Sequence, residues 1–135
     1  MTGNSGAIRL GYVIVYVPDV TAALRFYERA FGVTRRFLHE SGDYGELETG
    51  ATALAFAGET AAATCHAFEP NRAERRAAGA EVAFVVPDVK AAFARAIEAG
   101  ATAVVEPTEK PWGQTISYVR DLNGFLVELC SEVER

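Results

Sequence analysis

Residues 12–31, YVIVYVPDVTAALRFYERAF, decide the fold, because residues 81–100, EVAFVVPDVKAAFARAIEAG, repeat them. Aligned on Val-Pro-Asp-Val, Val13, Val17, Pro18, Asp19, Val20, Ala22 and Ala23 meet Val82, Val86, Pro87, Asp88, Val89, Ala91 and Ala92. The chain is a duplicated module. In each copy a β-branched and aromatic run stops at a proline, which has no backbone donor for a sheet ladder, and the aspartate after it is suited to cap a helix. The helix is written in the three- and four-residue spacing of Val20, Ala23, Leu24, Tyr27 and Phe31, and again of Val89, Ala92, Phe93 and Ile97. Gly32 and Gly100 are expected to close the two helices.

Outward from these copies, residues 1–7 are small and polar and read as a loose terminus. A first strand over 8–17 alternates Val13, Val15 and Val17 with Tyr12, Ile14 and Tyr16. With the valines under the helix, the tyrosines face a different environment, and their polar tips suit a pocket wall. Short strands follow at 34–40, 44–48 and 52–57, separated by Ser41-Gly42-Asp43 and by Gly50. Module one therefore spans 8–57 and module two 81–131, the latter with strands at 81–86, 103–106, 115–120 and 125–130 and a helix over 89–99. The turn Asp121-Leu122-Asn123-Gly124 is expected to supply the positive φ of a tight hairpin through its Asn-Gly pair. Residues 58–80, rich in Ala, Thr, Pro and charge, read as a linker with an extended piece at 64–68 and a helical turn around 71–78.

Composition narrows the function. Half of the 135 residues are apolar and 23% charged, and no apolar run approaches the ~18 residues of a membrane span. Each half, at about 65 residues, would bury only a marginal core alone, so the modules should share surface within one domain, 1–135. A formal charge of −5 repels nucleic acid and leaves a small molecule as the expected partner. The N-terminus has no basic stretch followed by an apolar one, which points to the cytoplasm. Cys65 and Cys130 lack metal-ligand spacing and read as reduced thiols, while His39 and His66 have no partner at triad spacing and read as surface residues.

The doubled βαβββ plan, Phe26-Tyr27 in the first helix, and the closing run Gly113-Gln114 followed by YVRDLNGFLVEL (118–129) resemble the vicinal oxygen chelate superfamily of glyoxalases, extradiol dioxygenases and bleomycin-resistance proteins. The resemblance implies an α+β fold in which two tandem βαβββ modules form a cupped eight-stranded mixed sheet with helices outside. It further implies that chains pair, often by swapping, and that catalytic members hold one divalent ion on the first and last strands of each module. Those positions fall on Tyr12 and near Leu54 in module one, and on Glu81 and Glu128 in module two. Two carboxylates are short of the three or more donors that a protein-held metal needs, so the expectation is no cofactor and a metal-free binding protein of the bleomycin-resistance type. If a metal were bound, Glu81 and Glu128 would be its ligands.

The expected ligand-binding set is Tyr12, Tyr16, Phe37, Tyr44, Leu54, Phe56, Glu81, Trp112, Gln114, Tyr118 and Glu128, an aromatic wall with a polar edge. No catalytic residue is assigned. The expected function is sequestration of an apolar aromatic antibiotic or natural product by a homodimer. The alternatives are a metal-dependent lyase, isomerase or dioxygenase, or a cofactor-free enzyme with Glu81 or Glu128 as general base.

Overall fold

The computed structural model describes residues 6–133; residues 1–5 of the expected loose terminus, and 134–135, lie outside the described residues. Module one runs β1 (Tyr12–Val17), α1 (Val20–Phe31), β2 (Arg35–Leu38), β3 (Tyr44–Leu47) and β4 (Ala53–Gly58), followed by a short α2 (Glu59–Ala63). Module two runs β5 (Glu81–Val85), α3 (Val89–Glu98), β6 (Thr102–Glu109), β7 (Thr115–Arg120) and β8 (Leu126–Cys130). The eight strands divide into two four-stranded mixed sheets of equivalent order, β1-β4-β3-β2 and β5-β8-β7-β6. In each, the first strand lies parallel to the last and the remaining pairs are antiparallel.

The helix starts follow the sequence. Asp19 accepts a hydrogen bond from the Ala22 amide at 3.0 Å and Asp88 one from Ala91 at 3.1 Å. Gly32 caps α1 at φ 70°. The second helix departs from expectation: its cap is Ala99 in a right-handed conformation, and Gly100 carries the positive φ one residue later.

Two further corrections concern loops. The linker begins with helix α2, a turn at 64–65 and irregular residues from 66 to 70 stand in place of the extended piece expected at 64–68, and the helical turn expected around 71–78 reduces to one bond from the Arg75 amide to the Arg72 carbonyl. In the 121–124 turn only Gly124 has positive φ. The reason is Asp121, whose Oδ1 accepts from the amides of Asn123 and Phe125 and so organises the turn through its side chain.

The modules share one core. Helix α1 buries Val20, Ala23, Leu24, Phe26, Tyr27 and Ala30, and these join Val15, Val17, Leu54 and Phe56 of the first sheet to Val119, Val127 and Leu129 of the second. Across that seam the Tyr27 hydroxyl donates to Asp121 Oδ2 at 2.6 Å, fully buried, and Arg95 Nε donates to the Arg29 carbonyl at 3.0 Å. Each sheet therefore spends one face on the common core and turns the other away from it.

Candidate functional site

The pleat sends alternate side chains to the outward faces. On the first sheet the register sets Tyr12 beside Ala53, Ile14 beside Ala55 and Tyr16 beside Ala57. Glu46 lies next to Ala55, Tyr44 next to Ala57 and Phe37 next to Glu46. Ala53 and Ala55 are buried on this face, and its open surface is made by Tyr12, Ile14 and Phe37. Tyr12 is 57% exposed and Phe37 42%.

One carboxylate is set into this face. Glu46, only 7% exposed, accepts from the Tyr44 hydroxyl at 2.8 Å and from Arg36 Nη1 at 3.5 Å. Burial raises the Tyr44 pKa, and the bond to Glu46 adds to it, so the phenol stays a donor. Arg36 also grips Glu48, with Nη2 to Oε1 at 2.6 Å.

On the second sheet Glu81 lies beside Leu126, Ala83 beside Glu128, Val85 beside Cys130, and Tyr118 beside Glu128. The two carboxyl groups adjoin. Desolvation first, then the neighbouring Glu128, pushes Glu81 up to about 7. Burial and then the carboxylates raise Tyr118, and burial and then Glu128 raise the Cys130 thiol. Arg120 shares this face but supplies no countercharge, because its guanidinium donates to the carbonyls of Gly124, Arg72 and Arg75. At the rim, Trp112 Nε1 donates to Gln114 Oε1 at 2.8 Å and Gln114 donates to the Ser131 carbonyl at 3.1 Å, which tethers an indole that is 57% exposed.

The raised Glu81 pKa makes stability depend on pH. A folded-state value near 7 against an ordinary 4.5 means that the folded chain binds the extra proton between those values, so stability falls as pH rises from about 4.5 through 7. Glu81→Gln is expected to flatten that dependence and to match or exceed the parent above pH 7, by no more than ~1 kcal/mol because the residue is largely exposed. Urea midpoints of both proteins at pH 5 and pH 8 check this. A wild-type midpoint that rises with pH across this range would contradict it.

Two expected site residues lie elsewhere. Leu54 and Phe56 point to the helix side: Phe56 is fully buried with its ring 4.9 Å from Tyr27, and Leu54 belongs to the same core. The cause is register, since Ile14 pairs with Ala55 as Ala83 pairs with Glu128, which makes Ala55 the true counterpart of Glu128. Leu54 does border a cleft of about 580 Å³ at the module seam with Val13, Thr34, Val82 and Phe84, where Glu48 is the sole titratable residue. The other nine fall on or beside the two faces, Tyr12, Tyr16, Phe37 and Tyr44 on the first and Glu81, Tyr118 and Glu128 on the second, with Trp112 and Gln114 at its rim. Glu46 was missed, although its place two residues after Tyr44 on one strand was signal enough.

The donor set does not fit a protein-held divalent ion. The first module offers a phenol at Tyr12 and a methyl at Ala55, leaving the pair Glu81 and Glu128, and among the described residues no three His, Cys, Asp or Glu side chains converge. Nor is any described helix long and apolar enough to cross a membrane.

The family model for the Glyoxalase/Bleomycin resistance protein/Dioxygenase superfamily matches residues 9–129. Among curated proteins no relative matches significantly. Solved structures do. A glyoxalase-related enzyme from Fulvimarina pelagi superposes with a TM-score of 0.77 at 19% identity, over 92% of this chain and 88% of that one. A glyoxalase/bleomycin resistance protein/dioxygenase family enzyme from Burkholderia phytofirmans PsJN gives 0.74 at 22% identity, over 94% and 100%. TioX from Micromonospora sp. ML1 gives 0.69 at 25% identity, over 91% and 98%.

Proposed function

The chain belongs to the Glyoxalase/Bleomycin resistance protein/Dioxygenase superfamily, and on that premise we propose that it binds and sequesters an apolar aromatic small molecule, an antibiotic or related natural product, without transforming it. The observation that carries this reading is the first outward face, where Tyr12, Ile14 and Phe37 present exposed apolar surface around the hydrogen-bonded pair of Tyr44 and Glu46. Such a surface favours burial and stacking of a planar ring system, at roughly 0.5–1.5 kcal/mol per ring contact beyond area. Glu128 and Gln114 are suited to orient the polar edge of the ligand, with Trp112 as an aromatic cover. Drug resistance by capture in the cytoplasm is the corresponding role.

The second face supports a homodimer. Both outward faces turn away from the common core, so a ligand enclosed by both is best served by two chains, the first face of one laid over the second face of its partner. The exposed apolar groups on them, Tyr12, Ile14, Phe37 and Val85, would otherwise be a solubility liability. Sedimentation equilibrium at micromolar concentration should give twice the 14.5 kDa chain mass; a single-chain mass would contradict the dimer.

A titration of planar aromatic antibiotics followed by the fluorescence of Trp112 tests the binding reading. Saturable quenching is expected, with the compound recovered unchanged, and Tyr12→Ala should weaken the affinity about tenfold, as loss of one well-seated ring contact implies. A second reading, proton transfer by Glu81, is favoured by its value of about 7 beside Glu128. Conversion of the compound, abolished by Glu81→Gln, would replace sequestration with that chemistry.

A further inference from the structure

The irregular stretch between α2 and β5 closes one end of the first outward face. Tyr16 points to that face, and its hydroxyl lies 2.9 Å from His66 Nε2. His66 Nδ1 lies 3.0 Å from the Ala67 carbonyl, which can only accept, so Nδ1 carries a proton, and in the neutral ring Nε2 is the acceptor for the Tyr16 hydroxyl. Phe68 meets the same Tyr16 ring edge-on, with centroids 4.8 Å apart. Side chains that touch the Tyr16 ring stand at the Ala57 end of the first outward face.

The stretch is fastened at both ends. At its start the Cys65 amide donates to the Ala62 carbonyl at 3.0 Å. At its finish Arg72 forms a paired contact to Glu59 at 2.7 and 2.8 Å, while Arg120 holds the Arg72 carbonyl at 3.1 Å. Between the fastenings a cleft of about 230 Å³ opens along the edge of β1, lined by Val13, Ile14, Val15 and Tyr16 together with Phe68 and Phe125.

We infer that residues 65–71 form the end wall of the ligand site, with Phe68, steadied through the Tyr16–His66 bond, setting how long a fused ring system the first outward face accepts. The inference rests on the sequestering reading above. A planar ligand that lies over the exposed Tyr12 and Ile14 and extends toward Tyr16 meets the Phe68 edge, a favourable contact for a ring that ends there and a clash for one that extends further. His66 is a positioning residue: it fixes the tyrosine ring on which Phe68 leans.

The test uses proflavine, with three fused rings, and doxorubicin, with four, each titrated against Trp112 fluorescence. Wild type should prefer proflavine. Phe68→Ala should weaken proflavine roughly threefold to tenfold, one lost aromatic contact, and shift the preference toward doxorubicin by a similar factor. His66→Ala should follow in part, whereas His66→Gln, which keeps an acceptor for the Tyr16 hydroxyl, should stay near wild type. Phe68→Leu repeats the measurement should the alanine variant lose its fold. Binding of both probes with a preference unchanged by Phe68→Ala would overturn the end wall alone. Failure of wild type to bind either would overturn the sequestering reading and this inference with it.

Discussion

Replacing Tyr27 with alanine is expected to destabilise the fold by about 4 kcal/mol, and replacing it with phenylalanine by about 2 kcal/mol. The ring is fully buried between Phe31, Phe56 and Phe84, so truncation leaves a cavity lined by both modules. The hydroxyl is a separate matter. Its bond to Asp121 at 2.6 Å is buried and joins α1 of module one to the β7–β8 turn of module two. Asp121 is 3% exposed, and burial raises its pKa despite the amides of Phe125 and Asn123 that stabilise its charge. Removal of the phenol donor leaves a desolvated carboxyl with one partner fewer. Urea unfolding should show both losses as lowered midpoints with an unchanged slope. A phenylalanine variant within ~0.5 kcal/mol of wild type would mean that the seam holds by apolar packing alone.

Gly124→Ala is expected to cost about 3 kcal/mol and to free the connecting stretch. Gly124 sits at φ 87°, where a side chain alone costs roughly 1–2 kcal/mol. An added Cβ would also stand 2.6 Å from the Arg72 carbonyl oxygen and 2.5 Å from Arg120 Nη2, and the first of these is backbone that cannot swing aside. The clamp from Arg120 to Arg72 and Arg75 would have to open. Faster hydrogen exchange across 65–75, together with the lower urea midpoint, would report the two effects separately. Retention of wild-type exchange there would show that the turn relaxes without disturbing the clamp.

These two expectations concern the frame rather than the ligand, and their size explains how weakly held outward faces can be tolerated. Carboxylates at Glu81 and Glu128, exposed rings at Tyr12 and Phe37, and a half-buried Phe68 contribute little to folding. Substitutions there should therefore read out in binding.

Much of the architecture was legible in the amino-acid order. The repeated Val-Pro-Asp-Val, the capping aspartates 19 and 88 and the three- and four-residue helical spacing located both modules, because each is a local matter of backbone donors, dihedral preference and period. Alternation along β1 and β8 also assigned Tyr12, Tyr16 and Glu128 to the side away from the helices. Pairing between distant strands was not legible. Whether residue 54 or 55 answers Glu128 depends on the parallel register of β1 on β4, and a shift of one residue exchanges the core face for the outward one, which is why Leu54 and Phe56 belong to the core. The contact of Glu81 with Glu128, the seam bond from Tyr27 to Asp121 and the fold of residues 65–71 against Tyr16 likewise join groups far apart in the chain. No local signal encodes them, because their geometry is set only when the two sheets close on a common core.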